Sequence, residues 1–414
     1  MGLLPGELAQ AARSVAEALA RAGHRAWVVG GAVRDLALAV EPHDIDLASA
    51  ALPAELERMF SQTYAVGRAF GTVVVRCGAL DVQVTTFRAE AGYDDARRPS
   101  EVRFSMRLEE DAARRDFTCN ALYLDPLTDE LADPTGGLAD LAAQRLRCVG
   151  EPARRFAEDG LRLLRLARLA AHYGLTVEPA TLAGARDALD ALRGVSCERV
   201  FGELQRMGAG RAPTKGLELL AALGVLERLP GFENLAQQSL AERVAALARL
   251  EAGGTARFFA LLLRPGAQAT TEAAMDAFWA LRPPRELHQR VGRIWALLGE
   301  LRACLSALAR APRSRWVRLV RANEFDDAFA VWCARHPGEL VRERTELRTR
   351  AAALTRVELW PAALITSSEL AQAGIPRGPR WGELLYAGED AQLDGEFSDL
   401  AGARAWLAQR TSGR

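Results

Sequence analysis

The sequence predicts an α+β protein in which a domain of strands and helices comes first and all-helical segments follow. Short apolar segments of strand length alternate with helical segments up to about residue 150. From Phe156 onward the chain consists of long segments rich in Ala, Leu and Arg with helical spacing. Glycine and proline interrupt this helical part at 208–213, Pro230-Gly231, Pro265-Gly266 and Pro283-Pro284.

The length and the changes in composition predict the domain boundaries. A chain of 414 residues is long enough for roughly two to four domains. We expect a mixed domain over residues 1–150 and three helical parts over residues 151–210, 211–330 and 331–414.

Each element of the mixed domain has its own signal in the sequence. Residues 7–22 have the spacing of an amphipathic helix, and Ala26-Trp27-Val28-Val29 is typical of a buried strand. A further helix is expected at 52–60, followed by strands at 72–76 and 80–87.

The strand at 80–87 alternates between apolar and polar residues, so one of its faces packs and the other borders a cleft. The two sets are Val82 and Val84 on one face, and Asp81, Gln83 and Thr85 on the other. Residues 88–107 are charged and contain Gly92 and Pro99, which predicts a long functional loop. A helix and then a strand are expected between residues 109 and 124.

The composition is that of a globular protein with no global electrostatic attraction for nucleic acid. Hydrophobic residues make up 49% and charged residues 26%, and the formal net charge is zero, so a nucleic-acid partner needs local basic clusters. Lys215 is the only lysine, and its Pro-Thr-Lys-Gly context excludes a Walker-type phosphate loop. The six cysteines stand singly and no apolar run is long enough for a membrane span, so we expect a cytoplasmic protein.

The paired carboxylates Asp44 and Asp46 are the first candidate for chemistry. Side chains two residues apart on an extended strand point to the same face, so these two should stand side by side. Mg²⁺ is commonly held by one or two carboxylates together with substrate phosphates. Two such ions can bracket the attacking and leaving oxygens of a phosphoryl displacement, so the pair indicates nucleotidyl transfer.

Two further clusters carry residues suited to phosphate and sugar. Gly30 and Gly31 lie where a strand turns into a helix, so backbone amides there can approach a triphosphate, with Arg34 one helical turn later. A tight turn with a solvated arginine is the alternative.

The second cluster is Arg114-Arg115-Asp116-Phe117-Thr118-Cys119-Asn120. Its arginines can contact phosphate and its acid can accept a hydrogen bond from a ribose hydroxyl. The alternative is a solvated helix end with salt bridges.

The third cluster, Glu158 to Arg168, has the residues needed to recognise a base. On a helix Asp159 and Arg162 are neighbours, giving one acceptor and one donor on the same patch. Cytosine and adenine both present an amino donor beside a ring-nitrogen acceptor, so this pair can accept C and A and reject U and G. Arg165 and Arg168 are expected to reach the triphosphate, although an amphipathic helix with a charged face is the simpler interpretation. Glu198-Arg199 is expected to brace the cluster.

Taken together, these motifs resemble those of the class II tRNA nucleotidyltransferases, the CCA-adding enzymes, and more distantly those of the bacterial poly(A) polymerases. The matching motifs are Gly-Gly-x-Val-Arg-Asp with Asp-x-Asp, Arg-Arg-Asp-Phe-Thr-x-Asn-Ala, Glu-Asp-x-x-Arg and the helix with Glu198-Arg199. They occur in the order found in that family and span residues 25 to about 205. The C-terminal loop 374–379 fits in general character.

The resemblance implies a polymerase-β-like nucleotidyltransferase head with a mixed sheet, followed by an all-helical neck, body and tail. It also implies addition of C and A to the 3′ end of tRNA from CTP and ATP, with Mg²⁺ as cofactor, and tRNA gripped at its acceptor stem and elbow. No protein partner is implied. The catalytic and metal-binding residues are then Asp44 and Asp46, and the nucleotide-binding residues are Gly30, Gly31, Arg34, Arg115, Asp116, Asn120, Asp159, Arg162, Arg165 and Arg168. The supporting residues are Arg114, Glu158, Glu198 and Arg199.

One residue departs from the pattern of the family, and several activities within it stay open. Family members commonly carry Glu where this chain has Gln83, and Asp81 is the expected substitute for that carboxylate. The full-length segment around 88–99 disfavours an enzyme that adds only the two cytidines. An enzyme adding only A, a bacterial poly(A) polymerase, and a catalytically silent RNA-binding relative are the alternatives. The poly(A) polymerases tend to be more basic at Gly67-Arg68-Ala69-Phe70.

Overall fold

The computed structural model describes residues 4, 6–64, 71–95, 98–232, 240–250, 254–263 and 270–411, with backbone alone over 90–95 and 98–102. The positions 65–70 and Pro265-Gly266, which entered the sequence analysis, lie outside the described residues. The chain divides into two compact units. The first comprises Met1–Leu240 with Ala280–Arg282, and the second comprises Ala241–Trp279 with Pro283–Arg414.

The first unit contains a mixed seven-stranded sheet of order β3-β4-β5-β2-β1-β8-β9. Its strands are β1 (Ala26–Val29), β2 (Asp46–Ser49), β3 (Thr63–Tyr64), β4 (Thr72–Cys77), β5 (Leu80–Thr86), β8 (Tyr123–Leu124) and β9 (Leu131–Ala132). β1 is antiparallel to β2 and β8, whereas β2 is parallel to β5. Two small pairs complete the strands: β6 (Arg88–Asp95) with β7 (Arg98–Phe104), and β10 (Arg145–Leu146) with β11 (Thr176–Val177).

The helices of the first unit are short in the sheet region and longer after it. They are α1 (Gly6–Arg21), α2 (Gly31–Ala37), α3 (Pro53–Met59), α4 (Leu108–Ala113), α5 (Gly137–Ala142), α6 (Pro152–Glu158), α7 (Leu161–Tyr173), α8 (Pro179–Asp187), α9 (Cys197–Gly208) and α10 (Pro213–Leu223). Short 3₁₀ turns occupy Thr118–Asn120, Leu189–Gly194 and Leu226–Arg228. α7 packs against α9 and α10, and leucines spaced along it are fully buried.

The second unit contains helices and connecting segments, with no strand among its described residues. Its helices are α11 (Leu240–Ala248), α12 (Thr255–Leu262), α13 (Thr271–Ala280), α14 (Arg285–Ser306), α15 (Arg313–Arg321), α16 (Phe325–Arg335), α17 (Val341–Ala353), α18 (Arg356–Leu359), α19 (Ser367–Gln372), α20 (Pro379–Asp394) and α21 (Leu400–Thr411). One core forms around Trp316, Phe325 and Trp332, and another around Ile365, Phe397 and Trp406. The loop 374–379 connects α19 to α20, as its glycines and prolines suggest.

This architecture confirms the α+β fold class and the order of a mixed domain before helices. One expected element is wrong: the segment 88–107 contains the antiparallel pair β6 and β7 instead of a long loop. Charge and the presence of Gly92 and Pro99 misled the prediction, since a two-stranded ribbon tolerates both when it has no other strand beside it. None of the helices in the described part of the chain combines the length and apolar character needed to cross a bilayer.

The strand register places the polar residues of β5 beside the end of β2. Asp46, the first residue of β2, is paired in the ladder with Gln83. Val82 and Val84 are buried and Asp81 and Gln83 are exposed, as the alternation in the sequence predicts. The sheet therefore presents Gln83 next to Asp46 on its open face.

Candidate active site

A concave pocket of about 490 Å³ in the first unit collects most of the residues predicted from the sequence. It is lined by Val29, Gly30, Gly31, Arg34, Asp35, Asp44, Asp46, Thr72, Gln83, Thr85, Arg88, Arg114, Arg115, Asp116, Asn120, Asp159, Arg162, Arg165, Arg168 and Arg206. Glu158, Glu198 and Arg199 do not line it. The motifs therefore converge in space although they are spread over more than a hundred residues of sequence.

The two predicted metal ligands stand together at one side of this pocket. Asp46 opens β2, while Asp44 lies just before the strand instead of within it. Ile45 between them is buried, so both carboxylates point to the open side. Neither forms a hydrogen bond or an ion pair with another described residue.

The electrostatic environment of Asp46 favours a positive partner. Enclosure at the pocket wall and the adjacent charge of Asp44 raise the pKa of Asp46 to about 6, and the more distant Arg115 lowers it only in part. A bound cation would relieve both unfavourable effects. The charge of the two carboxylates is therefore not neutralised, although eight arginines line the same pocket.

The polar residues of β5 do not supply a third carboxylate. Gln83 lies beside Asp46 and lines the pocket. Asp81, the expected substitute, instead accepts a 2.8 Å hydrogen bond from Arg76 on β4, so that expectation is wrong. Across the residues that the structure describes, no group of three or more His, Cys, Asp or Glu side chains is arranged to hold a metal.

The glycine turn brings the backbone close to a pocket arginine. Gly30 has φ of 71° at the start of α2, and a side-chain carbon there would lie 3.3 Å from Nη1 of Arg115. The positive φ favours glycine here, and a larger residue would also crowd the Arg115 side chain. The Gly30 N–H donates to the Leu122 carbonyl at 3.3 Å, so this amide is already engaged within the protein.

Arg114 and Arg115 are held by one buried acid, Asp111. Arg114 Nε donates to its Oδ1 at 2.8 Å, and Arg115 Nη2 donates to its Oδ2 at 3.0 Å. The Tyr123 hydroxyl also donates to Oδ2 at 2.8 Å. Burial favours the neutral acid, but the two guanidinium groups and this hydroxyl keep the pKa of Asp111 below its usual value.

Asp116 is buried and forms an ion pair across the pocket wall. Its Oδ2 lies 2.8 Å from Nε of Arg165, and its Oδ1 accepts from the Phe117 N–H at 2.8 Å and from Asn120 Nδ2 at 3.0 Å. Burial alone would raise the pKa of Asp116, but Arg165, Asn120 and Arg162 lower it to about 2. The residue predicted to hold a ribose is therefore a fully ionised acceptor.

Asp159 and Arg162 both line the pocket, but they do not share a helix. α6 ends at Glu158, Asp159 is extended, and α7 starts at Leu161, so the predicted continuous helix is wrong. Gly160, which follows the break, packs closely on another element, since a side-chain carbon there would lie 2.4 Å from the Ala191 carbonyl oxygen. The side chains still face one cavity.

Each member of this pair has a fixed partner. Arg199 on α9 donates two hydrogen bonds to Asp159, from Nη1 to Oδ1 at 3.2 Å and from Nη2 to Oδ2 at 2.6 Å. Arg199 therefore supports the cluster as the sequence predicts. Arg162 Nη1 donates to Glu158 Oε2 at 2.8 Å. The expectation for Glu198 is wrong, because its carboxylate accepts from Arg282 instead of contacting the cluster.

A second buried acid, Glu203 on α9, holds the last two pocket arginines. Arg168 Nε donates to Oε2 at 2.6 Å and Arg206 Nη2 donates to Oε1 at 2.7 Å. The Glu203 side chain is 1% exposed. Burial opposes its ionisation, yet the neighbouring guanidinium groups keep the pKa of Glu203 below its usual value.

The sequence analysis missed the residues that hold the arginines. These are Asp35, Asp111, Tyr123, Tyr173 and Glu203, and Arg206 is a further pocket arginine that the sequence analysis did not single out. A partial signal exists, since Asp111 lies three and four residues before Arg114 and Arg115, and Glu203 lies three before Arg206. Tyr123 and Tyr173 lie on other elements than the arginines they contact, which no local spacing reveals.

Comparison with family models matches two segments of the chain. Residues 26–147 match the poly A polymerase head domain. Residues 174–235 match the model described as the probable RNA and SrmB-binding site of polymerase A. The first match covers the sheet, the glycine turn and the carboxylate pair, so the fold and the site together define a nucleotidyltransferase.

Individual relatives narrow the class to one family. The CCA-adding enzyme of Streptococcus gordonii is 33% identical over 98% of this chain and 98% of its own length. That of Levilactobacillus brevis is 32% identical over 92% of both. The chain belongs to the family of CCA-adding enzymes, which confirms the resemblance seen in its motifs. The match to the Limosilactobacillus fermentum enzyme is 41% identical but spans 60% of that protein.

Solved structures agree with this assignment. The Bacillus stearothermophilus CCA-adding enzyme in complex with CTP superposes with a TM-score of 0.78 at 28% identity, covering 99% of this chain and 98% of that one. The Thermotoga maritima CCA-adding enzyme complexed with tRNA shares the fold, with a TM-score of 0.68 at 20% identity over 96% of this chain and 94% of that one.

Nucleotidyltransferases normally need a divalent metal, and the residues present here suit one. Asp44 and Asp46 are adjacent hard oxygen donors that form no ion pair with a described side chain. A positive charge would offset the repulsion between the two ionised carboxylates. The donor set therefore fits a divalent cation supported by substrate oxygens.

We predict that Asp116→Asn lowers the free energy of unfolding by about 2 kcal/mol at pH 7, because the pKa of Asp116 falls from 3.8 to about 2 on folding. A carboxyl whose pKa is lower in the folded than in the unfolded state stabilises the folded state at pH values above the unfolded pKa. This stabilisation is lost as the pH falls toward the folded pKa. The difference from wild type should hold from pH 7 to 5 and shrink from pH 4 toward 2, as measured by urea denaturation.

The matched control is Asp190→Asn, which removes an exposed carboxylate 3.3 Å from the exposed Arg193. Surface pairs of this kind contribute little, so the control should unfold like the wild type. Equal stability of Asp116→Asn and wild type at pH 7 would contradict the assignment of Asp116 as an ionised buried anchor.

Proposed function

We propose that this protein adds C and A to the 3′ end of tRNA, using CTP and ATP and releasing pyrophosphate. The observation that carries the proposal is the meeting of Asp44 and Asp46 with Asp159 and Arg162 in one arginine-lined pocket. The first pair suits phosphoryl chemistry and the second suits selection of a base. The near full-length match to CCA-adding enzymes supports the same substrate class.

In the proposed reaction the terminal 3′-hydroxyl of tRNA attacks the α-phosphorus in line. The bond from that phosphorus to the β-phosphate oxygen breaks, and pyrophosphate leaves. Asp44 and Asp46 would hold Mg²⁺, which would stabilise the negative charge that develops on the reacting oxygens. Arg115, Arg165 and Arg168 orient the triphosphate, and Asp116 accepts a hydrogen bond from the ribose.

The proposed choice between bases rests on Asp159 and Arg162. Arg199 holds both carboxylate oxygens of Asp159, which lines the pocket, while Glu158 holds Arg162. A fixed acceptor and a fixed donor match the pairing edges of C and A. Because uracil and guanine present the opposite order, they leave the protein groups unpaired, which is costly in an enclosed site.

The proposed partner is tRNA, held at its acceptor stem and elbow by the helical parts of the chain. Recognition through backbone shape suits a protein whose basic residues are arginines spread over a neutral chain. We assign the reaction to the cytoplasm, a reducing compartment that agrees with the six free cysteines.

Transcripts of tRNA ending in the discriminator base, in C or in CC test this proposal when each is incubated with one labelled nucleotide. We expect C to be added to the first two and A to the third, with no product from UTP or GTP. Addition of A to the CC end alone would establish an A-adding enzyme. Repeated A addition to unrelated RNA would favour a poly(A) polymerase, and no product at all would contradict the proposal.

Asp44→Ala should reduce incorporation by about three orders of magnitude, since a metal ion contributes several kcal/mol to such a transition state. Asp81→Ala is the matched control, because Asp81 is an exposed acid on the neighbouring strand that pairs with Arg76. Its rate should equal that of wild type. Similar losses in both variants would remove Asp44 from the metal site.

Asp159→Ala should relax base selection and leave the reaction itself intact. We expect the ratio of CTP to UTP incorporation to fall about tenfold or more, the effect of losing one hydrogen bond to a charged group. Arg199→Ala should give a smaller change in the same direction, because Asp159 then loses its brace. Arg193→Ala, which removes an exposed arginine, should leave the ratio unchanged. An unaltered nucleotide spectrum in Asp159→Ala refutes this account of recognition.

A further inference from the structure

Arg34 on α2 is enclosed by three side chains from different parts of the first unit. Its Nε and Nη2 donate to Asp35 Oδ1 at 3.1 and 2.8 Å, and its Nη1 donates to Asn120 Oδ1 at 2.6 Å. The third partner is Tyr173, whose hydroxyl accepts from Nη2. Arg34 nevertheless lines the pocket, so it is both buried and close to the ligand space.

Tyr173 contacts Arg34 in two ways at once. The guanidinium carbon lies 4.3 Å from the centre of the tyrosine ring, a cation–π contact, and the hydroxyl of the same ring binds Nη2. That hydroxyl also donates to Asp35 Oδ1 at 2.8 Å. The three groups form a closed triangle that fixes the plane of the guanidinium as well as its position.

The hydroxyl of Tyr173 stays protonated across the physiological range. Partial burial and the hydrogen bond to Asp35 raise the pKa of Tyr173 to about 12, although Arg34 opposes the shift. It can therefore donate to Asp35 and accept from Arg34 at the same time.

The contact between Tyr173 and Arg34 connects two helices that both carry pocket residues. Tyr173 is the last residue of α7, about three helical turns beyond Arg162 and on the same face. α7 also carries Arg165 and Arg168 toward the pocket. One hydroxyl thus ties the end of that arginine-bearing helix to α2, the helix that follows the glycine turn.

The glycine turn lies beside the same guanidinium. A side-chain carbon on Gly31 would lie 3.6 Å from Nη2 of Arg34, the nitrogen that Tyr173 binds. Gly31 and Arg34 both line the pocket, so they are neighbours in its wall. The geometry of this part of the wall depends on where Tyr173 holds Nη2.

We infer that Tyr173 is a positioning residue for the triphosphate, acting through Arg34. It sets the distance between the donors of α2 and the arginines of α7, which both face the pocket. The inference rests on the proposed function in one respect, that the ligand carries a triphosphate. Because Arg34 lies away from Asp159 and Arg162 in the chain and in its contacts, Tyr173 affects CTP and ATP equally.

The test is Tyr173→Phe, which keeps the ring over Arg34 and removes only the hydroxyl. Binding of CTP, ATP and inorganic tripolyphosphate to the full chain is measured by calorimetry without tRNA. We expect the three affinities to fall together by about three- to tenfold, because one of several hydrogen bonds to a charged group is lost. Tyr386→Phe is the matched control: its ring stacks 3.8 Å from Arg318 in the second unit, and these affinities should not change.

A double-mutant cycle separates positioning through Arg34 from a general structural effect. Arg34→Lys keeps the charge but loses the fork, so Tyr173→Phe in that background should cause no further loss of tripolyphosphate affinity. Additive losses, or a folded Tyr173→Phe variant with unchanged tripolyphosphate affinity, would overturn the inference. Tripolyphosphate binding is read without tRNA, so a wild type that binds it but adds no nucleotide would contradict the proposed function alone.

Discussion

The pocket of the first unit depends on one electrostatic constraint: its arginines must be balanced by buried acids from the protein itself. A guanidinium removed from water without a counter-charge is strongly unfavourable. Asp111 and Glu203 each hold two pocket arginines, and their side chains are 1% exposed. Pairs of this kind add little net stability, because burying two charges is itself costly. Their main effect is to fix the position of each arginine.

This balance would allow the pocket to bind the proposed triphosphate without rearranging. Arg115 and Arg168 keep unused N–H groups after binding their acids, since a guanidinium carries five donors. Donors held in place before the substrate arrives cost no reorganisation during the reaction. In the proposed reaction the acids serve the chemistry indirectly, by positioning the arginines that would contact phosphate.

The sequence predicted the candidate site better than the elements that carry it. Asp44, Asp46 and the arginines of α7 were predicted from carboxylate spacing and arginine clusters, which are local signals, and the structure places them in one pocket. The break at Asp159 was missed because the helical spacing of the residues continues across it, and the close contact of Gly160 with the Ala191 backbone joins residues distant in the sequence. Glu203 and Tyr173 were missed for the same reason, since their partners Arg168 and Arg34 lie on other elements.

Gln83 shows what the structure adds to a motif. The parallel register places its amide beside Asp46, so the open face of the sheet carries two carboxylates and one neutral oxygen donor. The remaining acid of that strand, Asp81, is engaged by Arg76. A cation here would rely on two protein charges and on the substrate phosphates.

The most direct measurement of this account is a pair of crystal structures, one of the free protein and one with CTP. The account predicts that Arg115, Arg165 and Arg168 remain on Asp111, Asp116 and Glu203 in both, with guanidinium shifts below about 1 Å. Arginines that leave these acids to reach the triphosphate, or that are unpaired before CTP binds, would contradict it.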